Sequence, residues 1–421
     1  MSSDRRSVVL LLMVACMAWH MLAVLDHWRQ AHREQHGRDF ASYYYAVDVG
    51  FEGGNPYDKR SLGASSRDDE TRKSVHPFFY PPPFVLVSTW MRPLDLVTAY
   101  RVWFWLDEAF LWLSLLVLAR WWRPLGELVP VSLALMVAAL TAIPNNHLMG
   151  QANLPVLLLV LLALKTDEED RTTLAGALMG LACMLKMSPA LFVAWWLLRG
   201  RWASALWSCV AAVVYSLLTL PLVGIEHQWH FYTAVLPGFG SGDYNGLAVG
   251  IDLFGNHSLP NLYDGWFPNP AQRDLSLSGP ARVLSSLSLV ALVAATGWLL
   301  RAAPADRLAR AGHVGAVGAV MLLVPVFTYE HHLVWLMPAA VVSVVALGQG
   351  RLSPGWAAPI GLALTAWCFD LTALKTMHLY VTPEHLVLGA ALREAKFAAI
   401  VVLYAANMVV ARSAPPAGGP T

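Results

Sequence analysis

The chain has 421 residues, of which 57% are hydrophobic and only 14% charged, and its formal net charge is +1. A soluble domain carries roughly 25% charged residues, so most of this surface is built to face something other than water. The near-neutral balance gives no reason to expect a nucleic-acid partner. The 4 cysteines, Cys16, Cys183, Cys209 and Cys368, each sit in an apolar run without metal-ligand spacing. They read as small buried hydrophobes rather than as disulfides or metal ligands.

In chain order, Asp4-Arg5-Arg6 precede an apolar stretch that runs to about residue 25. A cleaved leader is one reading, but no small-x-small site precedes Asp26. Residues 1–25 are therefore read as a first transmembrane helix with its basic end in the cytoplasm. A polar outer segment follows, and with the short apolar run 84–91, closed by Arg92-Pro93, it fills 26–97. That short run reads as re-entrant or interfacial. Apolar segments near 98–119, 128–143, 151–165, 172–185, 189–198 and 204–222 make a transmembrane bundle over 98–222. A second outer loop covers 223–281. Segments near 282–300, 313–328, 332–347, 356–375 and 387–411 make a C-terminal bundle over 282–421. The pattern is that of an all-α polytopic membrane protein with about twelve spans. Several segments are shorter than the ~20 residues of a straight span, so they must thin the bilayer or lie inside the bundle.

The basic connections 120–123, 165–171, 199–201 and 301–310, together with Arg351 and Arg412, fall on one side, which the positive-inside rule makes cytoplasmic. The other side receives the 26–83 segment, Asn145, Asn146, His147, Lys186, the 223–280 loop and Tyr329-Glu330-His331-His332. These outer pieces are rich in His, Asn, Tyr and Trp and can form a cavity at the membrane boundary. Such a cavity suits a substrate with a lipid tail and a polar head.

Several outer motifs carry candidate chemistry. Asp39 lies in Arg38-Asp39-Phe40-Ala41-Ser42-Tyr43-Tyr44-Tyr45. A carboxylate partly desolvated among aromatics can take a proton from a hydroxyl, whereas an Asp before a helical stretch is also an ordinary cap. Tyr80-Pro81-Pro82-Pro83-Phe84 forces an extended entry, either as a helix start or as a wall that presents Tyr80. The amides of Asn145, Gln151 and Asn153 suit sugar hydroxyls or helix caps. Lys186, in Lys186-Met187-Ser188-Pro189, either snorkels or meets a lipid-linked phosphate. His331 and His332 beside Glu330 lack the His-Glu-x-x-His metal spacing and suit a phosphate. Asn256-His257-Ser258 is weak alone. Asp68-Asp69-Glu70 reads as a solvated acidic patch. No nucleotide-binding glycine loop is present.

Taken in order, these motifs resemble glycosyltransferase family 87. They are Asp39-Phe40 with the tyrosines, Asn55-Pro56-Tyr57, Tyr80-Pro81-Pro82-Pro83-Phe84, Gly150-Gln151-Ala152-Asn153, Lys186-Met187-Ser188-Pro189, Asn256-His257-Ser258-Leu259 and Glu330-His331-His332. The resemblance implies a GT-C type membrane mannosyltransferase. It would take mannose from a polyprenyl-phosphate donor and pass it, with inversion, to a lipid or glycan acceptor. It implies Asp39 as the base. Lys186, His331 and His332 would then hold the donor phosphate. Tyr43, Tyr44, Asn55, Tyr57, Tyr80, Asn145, Gln151, Asn153, Asn256 and Glu330 would hold sugars or acceptor. No metal or other cofactor is expected. The setting would be the bacterial inner (plasma) membrane, with the site facing the periplasm or exterior. The alternatives are another lipid-linked-sugar transferase or ligase, a lipid or solute transporter without catalysis, and a structural membrane partner. For a transporter, Asp107, Glu108 and Asp370 are the main intramembrane acids, and no internal repeat supports it.

Overall fold

The computed structural model describes residues 3–33, 36–68, 75–247, 249–269 and 276–413. Asp69 and Glu70 of the acidic patch lie outside these residues, as do the side chains of Asp4, Arg5 and Arg6. The described residues form helices joined by turns and loops, with no β-strand among them.

Among the described residues, six helices are long and apolar enough to cross a membrane: Ser7–Arg29, Leu96–Trp121, Trp202–Thr219, Gly279–Leu300, Glu330–Gly348 and Ala395–Arg412. Two bent pairs raise the number to eight if each pair is one span. The count of about twelve is not reached because several apolar segments form short helices. Thr172–Leu185, for instance, has 14 residues, about 21 Å at 1.5 Å per residue, against a ~30 Å hydrocarbon core.

The bends have local causes. Leu128–Ala139 and Ala142–Met149 meet at 55°, and Pro144, which has no N–H to give, sits in the first turn of the second piece. Pro354–Cys368 and Leu371–Val381 meet at 105°, where the Asp370 side chain caps the second piece by accepting from the Ala373 N–H at 2.8 Å.

Burial runs opposite ways in the centre and at the rim. Glu330–Gly348 is mostly enclosed, whereas Ser7–Arg29 and Gly279–Leu300 show most of their surface outward. Leu11, Trp19, Leu22, Leu287, Val290 and Trp298 are all exposed there. An apolar rim of that size matches lipid rather than water. Inside, small residues let backbones meet. Gly176 and Gly180 lie one turn apart on Thr172–Leu185 and face Trp202–Thr219. A Cβ on Gly176 would stand 2.3 Å from Trp207 Cβ, so the small-x-x-x-small pairing is required for this close crossing.

Candidate functional site

Asp39 starts from backbone geometry. The helix Arg38–Phe51 begins after Gly37, which is left-handed at φ 63°, and the Gly37 N–H donates to the Leu148 carbonyl at 2.7 Å. Asp39 falls in the first turn, yet its carboxylate caps no helix. Its Oδ1 lies 2.6 Å from His76 Nδ1, and its Oδ2 accepts from the Gln151 amide at 2.6 Å. Of the two sequence readings, the cap is thereby removed. Burial pushes the Asp39 carboxyl upward. The His76 bond and charge, the His331 charge and the Gln151 amide outweigh it and hold the carboxyl below its ordinary value.

Gln151 reaches Asp39 because Gly150 ends Ala142–Met149 in the left-handed region, at φ 69°. A Cβ there would lie 2.6 Å from Phe40 Cβ, so only glycine lets this turn lean on the Asp39 helix. A directional chain runs into the carboxylate. Tyr43 donates to the Tyr80 hydroxyl at 2.8 Å, and Tyr80 donates to Gln151 Oε1 at 3.1 Å. Gln151 then donates to Asp39. Tyr57 steadies the wall by donating to the Tyr80 carbonyl at 2.9 Å. Burial and the Asp39 charge both push the Tyr80 phenol upward, so it stays a donor.

Asn153, fully enclosed, joins this carboxylate side to a cationic side. It accepts from Lys186 Nζ at 2.6 Å and donates to the His331 carbonyl at 3.1 Å. It also donates to Asn146 Oδ1 at 3.0 Å, and Asn146 donates to the Gln151 carbonyl at 3.2 Å. Lys186 stands just past the end of Thr172–Leu185. Burial pulls its ammonium down to about 7, against the opposing Asp39 charge. His331 is buried, and its Nε2 has no hydrogen-bond partner among the described residues. His332 packs against it edge-on with rings 4.4 Å apart, and its Nδ1 accepts from the Tyr329 N–H.

The structure therefore brings together Asp39, Tyr43, Tyr80, Gln151, Asn153, Lys186 and His331, with Tyr57 and His332 against them. It sends other candidates elsewhere. Glu330 faces Lys396 at 2.5 Å and Thr141 at 2.6 Å, with His257 3.5 Å away. Asn256 shapes the loop by donating to the Ile251 and Val326 carbonyls and accepting from the Thr328 N–H. Asn55 accepts from the Tyr57 N–H, Tyr44 donates to the Leu94 carbonyl, and Asn145 is half-buried. Sequence reasoning missed His76 and Lys396. The acids Asp107 and Glu108 have local partners: Asn146 donates to Asp107 at 2.6 Å, and His20 and Trp112 hold Glu108 at 2.8 and 2.6 Å.

Comparison with known proteins adds independent findings. The model of glycosyltransferase family 87 matches residues 78–328, a range that holds Tyr80, Gln151, Asn153, Lys186 and Asn256. Asp39 and His76 lie before it, and Glu330-His331-His332 after it. The chain is 30% identical over 256 residues to a polyprenol-phosphate-mannose-dependent alpha-(1-2)-phosphatidylinositol mannoside mannosyltransferase of Mycolicibacterium smegmatis, covering 58% of this chain and 54% of that one. It is 29% identical over 189 residues to the corresponding pentamannoside enzyme of the same organism, covering 45% and 42%. A third relative, the phosphatidylinositol mannoside mannosyltransferase of Mycobacterium tuberculosis, is 28% identical over 264 residues, covering 58% and 56%. The chain thus spans about half the length of the curated relatives it matches. No solved structure matches. With the family model covering more than half of the polypeptide, the chain belongs to glycosyltransferase family 87.

Proposed function

We propose that the chain is a multi-pass membrane mannosyltransferase. It moves mannose from a polyprenyl-phosphate donor to a hydroxyl of a lipid or glycan acceptor, with inversion, on the non-cytoplasmic face of a bacterial inner membrane. The relatives' names favour an acceptor of the phosphatidylinositol mannoside kind. The observation that carries the reading is the hydrogen-bonded path from Asp39 through Gln151, Asn146 and Asn153 to Lys186. It sets a carboxylate and a cation on one buried network.

The chemistry follows from that pairing. An acceptor hydroxyl must lose a proton as it attacks the anomeric carbon, and the Asp39 carboxylate is the basic centre that draws it off. The leaving phosphate needs positive charge and donors rather than a strong acid. Lys186 and the unpartnered His331 Nε2 serve it, with His332 behind. The tyrosines and Gln151 position the sugar. The reading involves no metal or other cofactor.

The test is transfer from radiolabelled polyprenyl-phosphate mannose in membranes carrying the chain. Asp39→Asn is expected to lose on the order of 100-fold or more in rate. Unchanged transfer in that variant removes Asp39 from its role, and no transfer by the unaltered chain from any polyprenyl-phosphate sugar removes the activity.

A further inference from the structure

Asp107 is a buried carboxyl that the mechanism above does not use. Its side chain is 0% exposed, and it lies within the membrane-spanning helix Leu96–Trp121. A carboxyl kept at such a depth needs partners and marks a working position. Its Oδ2 accepts from the Asn146 amide at 2.6 Å. From there the cationic side of the site is two hydrogen bonds away. An Asn side chain has two N–H donors and one carbonyl oxygen. Asn146 gives its N–H groups to Asp107 and, at 3.2 Å, to the Gln151 carbonyl. Only its oxygen is left for Asn153, which donates to it at 3.0 Å. Asn153 gives its other N–H to the His331 carbonyl at 3.1 Å. Its oxygen is thereby left for Lys186 Nζ, at 2.6 Å. The direction of each amide decides the direction of the next.

We propose that Asp107 is a positioning residue for the donor: acting through Asn146 and Asn153, it turns an amide oxygen toward Lys186 and holds the Lys186 head group where the departing phosphate forms. This rests on the transferase reading above, in which Asp39 remains the base. If Asn146 turned over, its oxygen would face the Asp107 and Gln151 oxygens, and its N–H groups would face those of Asn153. Asn153 would then have to turn as well, and it would present N–H to an ammonium that can only donate. Away from water, such mismatches leave donors and acceptors unpaired. Asp107 supplies the shorter of the two contacts that oppose the turn, 2.6 Å against 3.2 Å. Its own place is bounded from the side. His147, on the same helix as Asn146, sets Nε2 3.6 Å from Asp107 Oδ2 and 3.4 Å from Glu108 Oε2. A charged Lys186 has three N–H groups, and Asn153 takes one, which leaves two for phosphate oxygens.

The experiment compares Asp107→Asn, Asp107→Leu and Lys186→Met, with the Asp107→Leu/Lys186→Met double variant, in the full chain. Asn offers Asn146 a carbonyl oxygen in the carboxyl's place, whereas Leu is close in shape and accepts nothing. Affinity for polyprenyl phosphate, read by calorimetry, is expected to fall about tenfold in Asp107→Leu, as for the loss of a hydrogen bond to a charged group. It is expected to stay near that of the unaltered chain in Asp107→Asn. The double variant is expected to bind no more weakly than Lys186→Met, since the two residues act as one unit. Unaltered affinity in Asp107→Leu, equal losses in the Asn and Leu variants, or losses that add in the double variant overturn the proposal. Asp107→Ala, which crowds no neighbour, carries the same expectation should the Leu variant not fold. Electron cryomicroscopy of the donor-free Leu and Asn variants reads the geometry itself. The Lys186 head group is expected to leave Asn153 in the Leu variant and to stay in the Asn variant. Lys186 in place in the Leu variant overturns the proposal even if no chain ever binds polyprenyl phosphate or transfers sugar, which keeps its failure separate from that of the transferase reading.

Discussion

Lys396 Nζ stands 2.5 Å from Glu330 Oε1, and the two side chains are 0% and 3% exposed. The pair ties Ala395–Arg412 to the Glu330–Leu336 turn. Thr141, at the 55° bend, donates to the same Glu330 oxygen. Two distant pieces of chain thus fix the residue immediately before His331. Removing one member leaves a buried charge alone, which costs about 3–5 kcal/mol, whereas replacing both with apolar residues is far milder. Lys396→Met and Glu330→Met should each lower the melting temperature of the purified protein sharply, and the double variant should recover most of the loss. Equal melting in single and double variants refutes the coupling.

Asp39 gives a pH prediction with a definite sign. Its folded value lies below the ordinary 3.8, with burial opposing the shift and the His76 and Gln151 contacts winning. A depressed carboxyl contributes stability that is present above 3.8 and lost as pH falls through the lower folded value. Acid unfolding of the unaltered chain should therefore retain this contribution at neutral pH, and Asp39→Asn should flatten the profile below about pH 4. Parallel acid-denaturation curves for the two proteins contradict it.

Lys186 titrates near 7 because burial disfavours its charge. A bound phosphate restores the reason to be charged, so binding should take up a proton wherever the free enzyme is largely neutral there. That window runs from about 7 up toward the ordinary 10.5. Affinity for polyprenyl phosphate should decline as pH rises through this window, and calorimetry in buffers of different ionisation enthalpy should show proton uptake. Lys186→Met should abolish the uptake. Uptake that survives the substitution assigns it to another group.

Gly150→Ala should injure the site without touching a reacting group. The left-handed backbone costs an alanine on the order of 1 kcal/mol, and the new Cβ meets Phe40 Cβ at 2.6 Å. The turn must retreat, carrying Gln151 from Asp39. The expected result is folded protein of lower stability with transfer reduced at least about tenfold, since small misplacements of positioning groups are costly. Normal activity in a Gly150→Ala chain separates the turn from the carboxylate.

How far the sequence could be read follows from what each residue needs from its neighbours. The interval 172–185 became a helix with the same bounds, because a continuous apolar run with clear polar ends depends on nothing distant. The interval 128–143 was legible as apolar but not as bent, since the break at Leu140 depends on Pro144 and on Thr141 finding Glu330. Asp39, Gln151 and Lys186 could be suspected because they are polar groups in apolar company. His76 could not, because a histidine in a polar outer segment looks solvated until the fold sets it 2.6 Å from a carboxylate. Lys396 near a helix start resembles a snorkelling residue, and only the packed bundle shows it turned inward to Glu330.

The placement of these partners also constrains biogenesis. Asp39 leaves the ribosome well before His331 and Lys396. A nascent chain halted before residue 330 would carry the carboxylate and its tyrosines but neither the histidine pair nor the lysine behind it. Membrane insertion must therefore pass residue 396 before these side chains can meet.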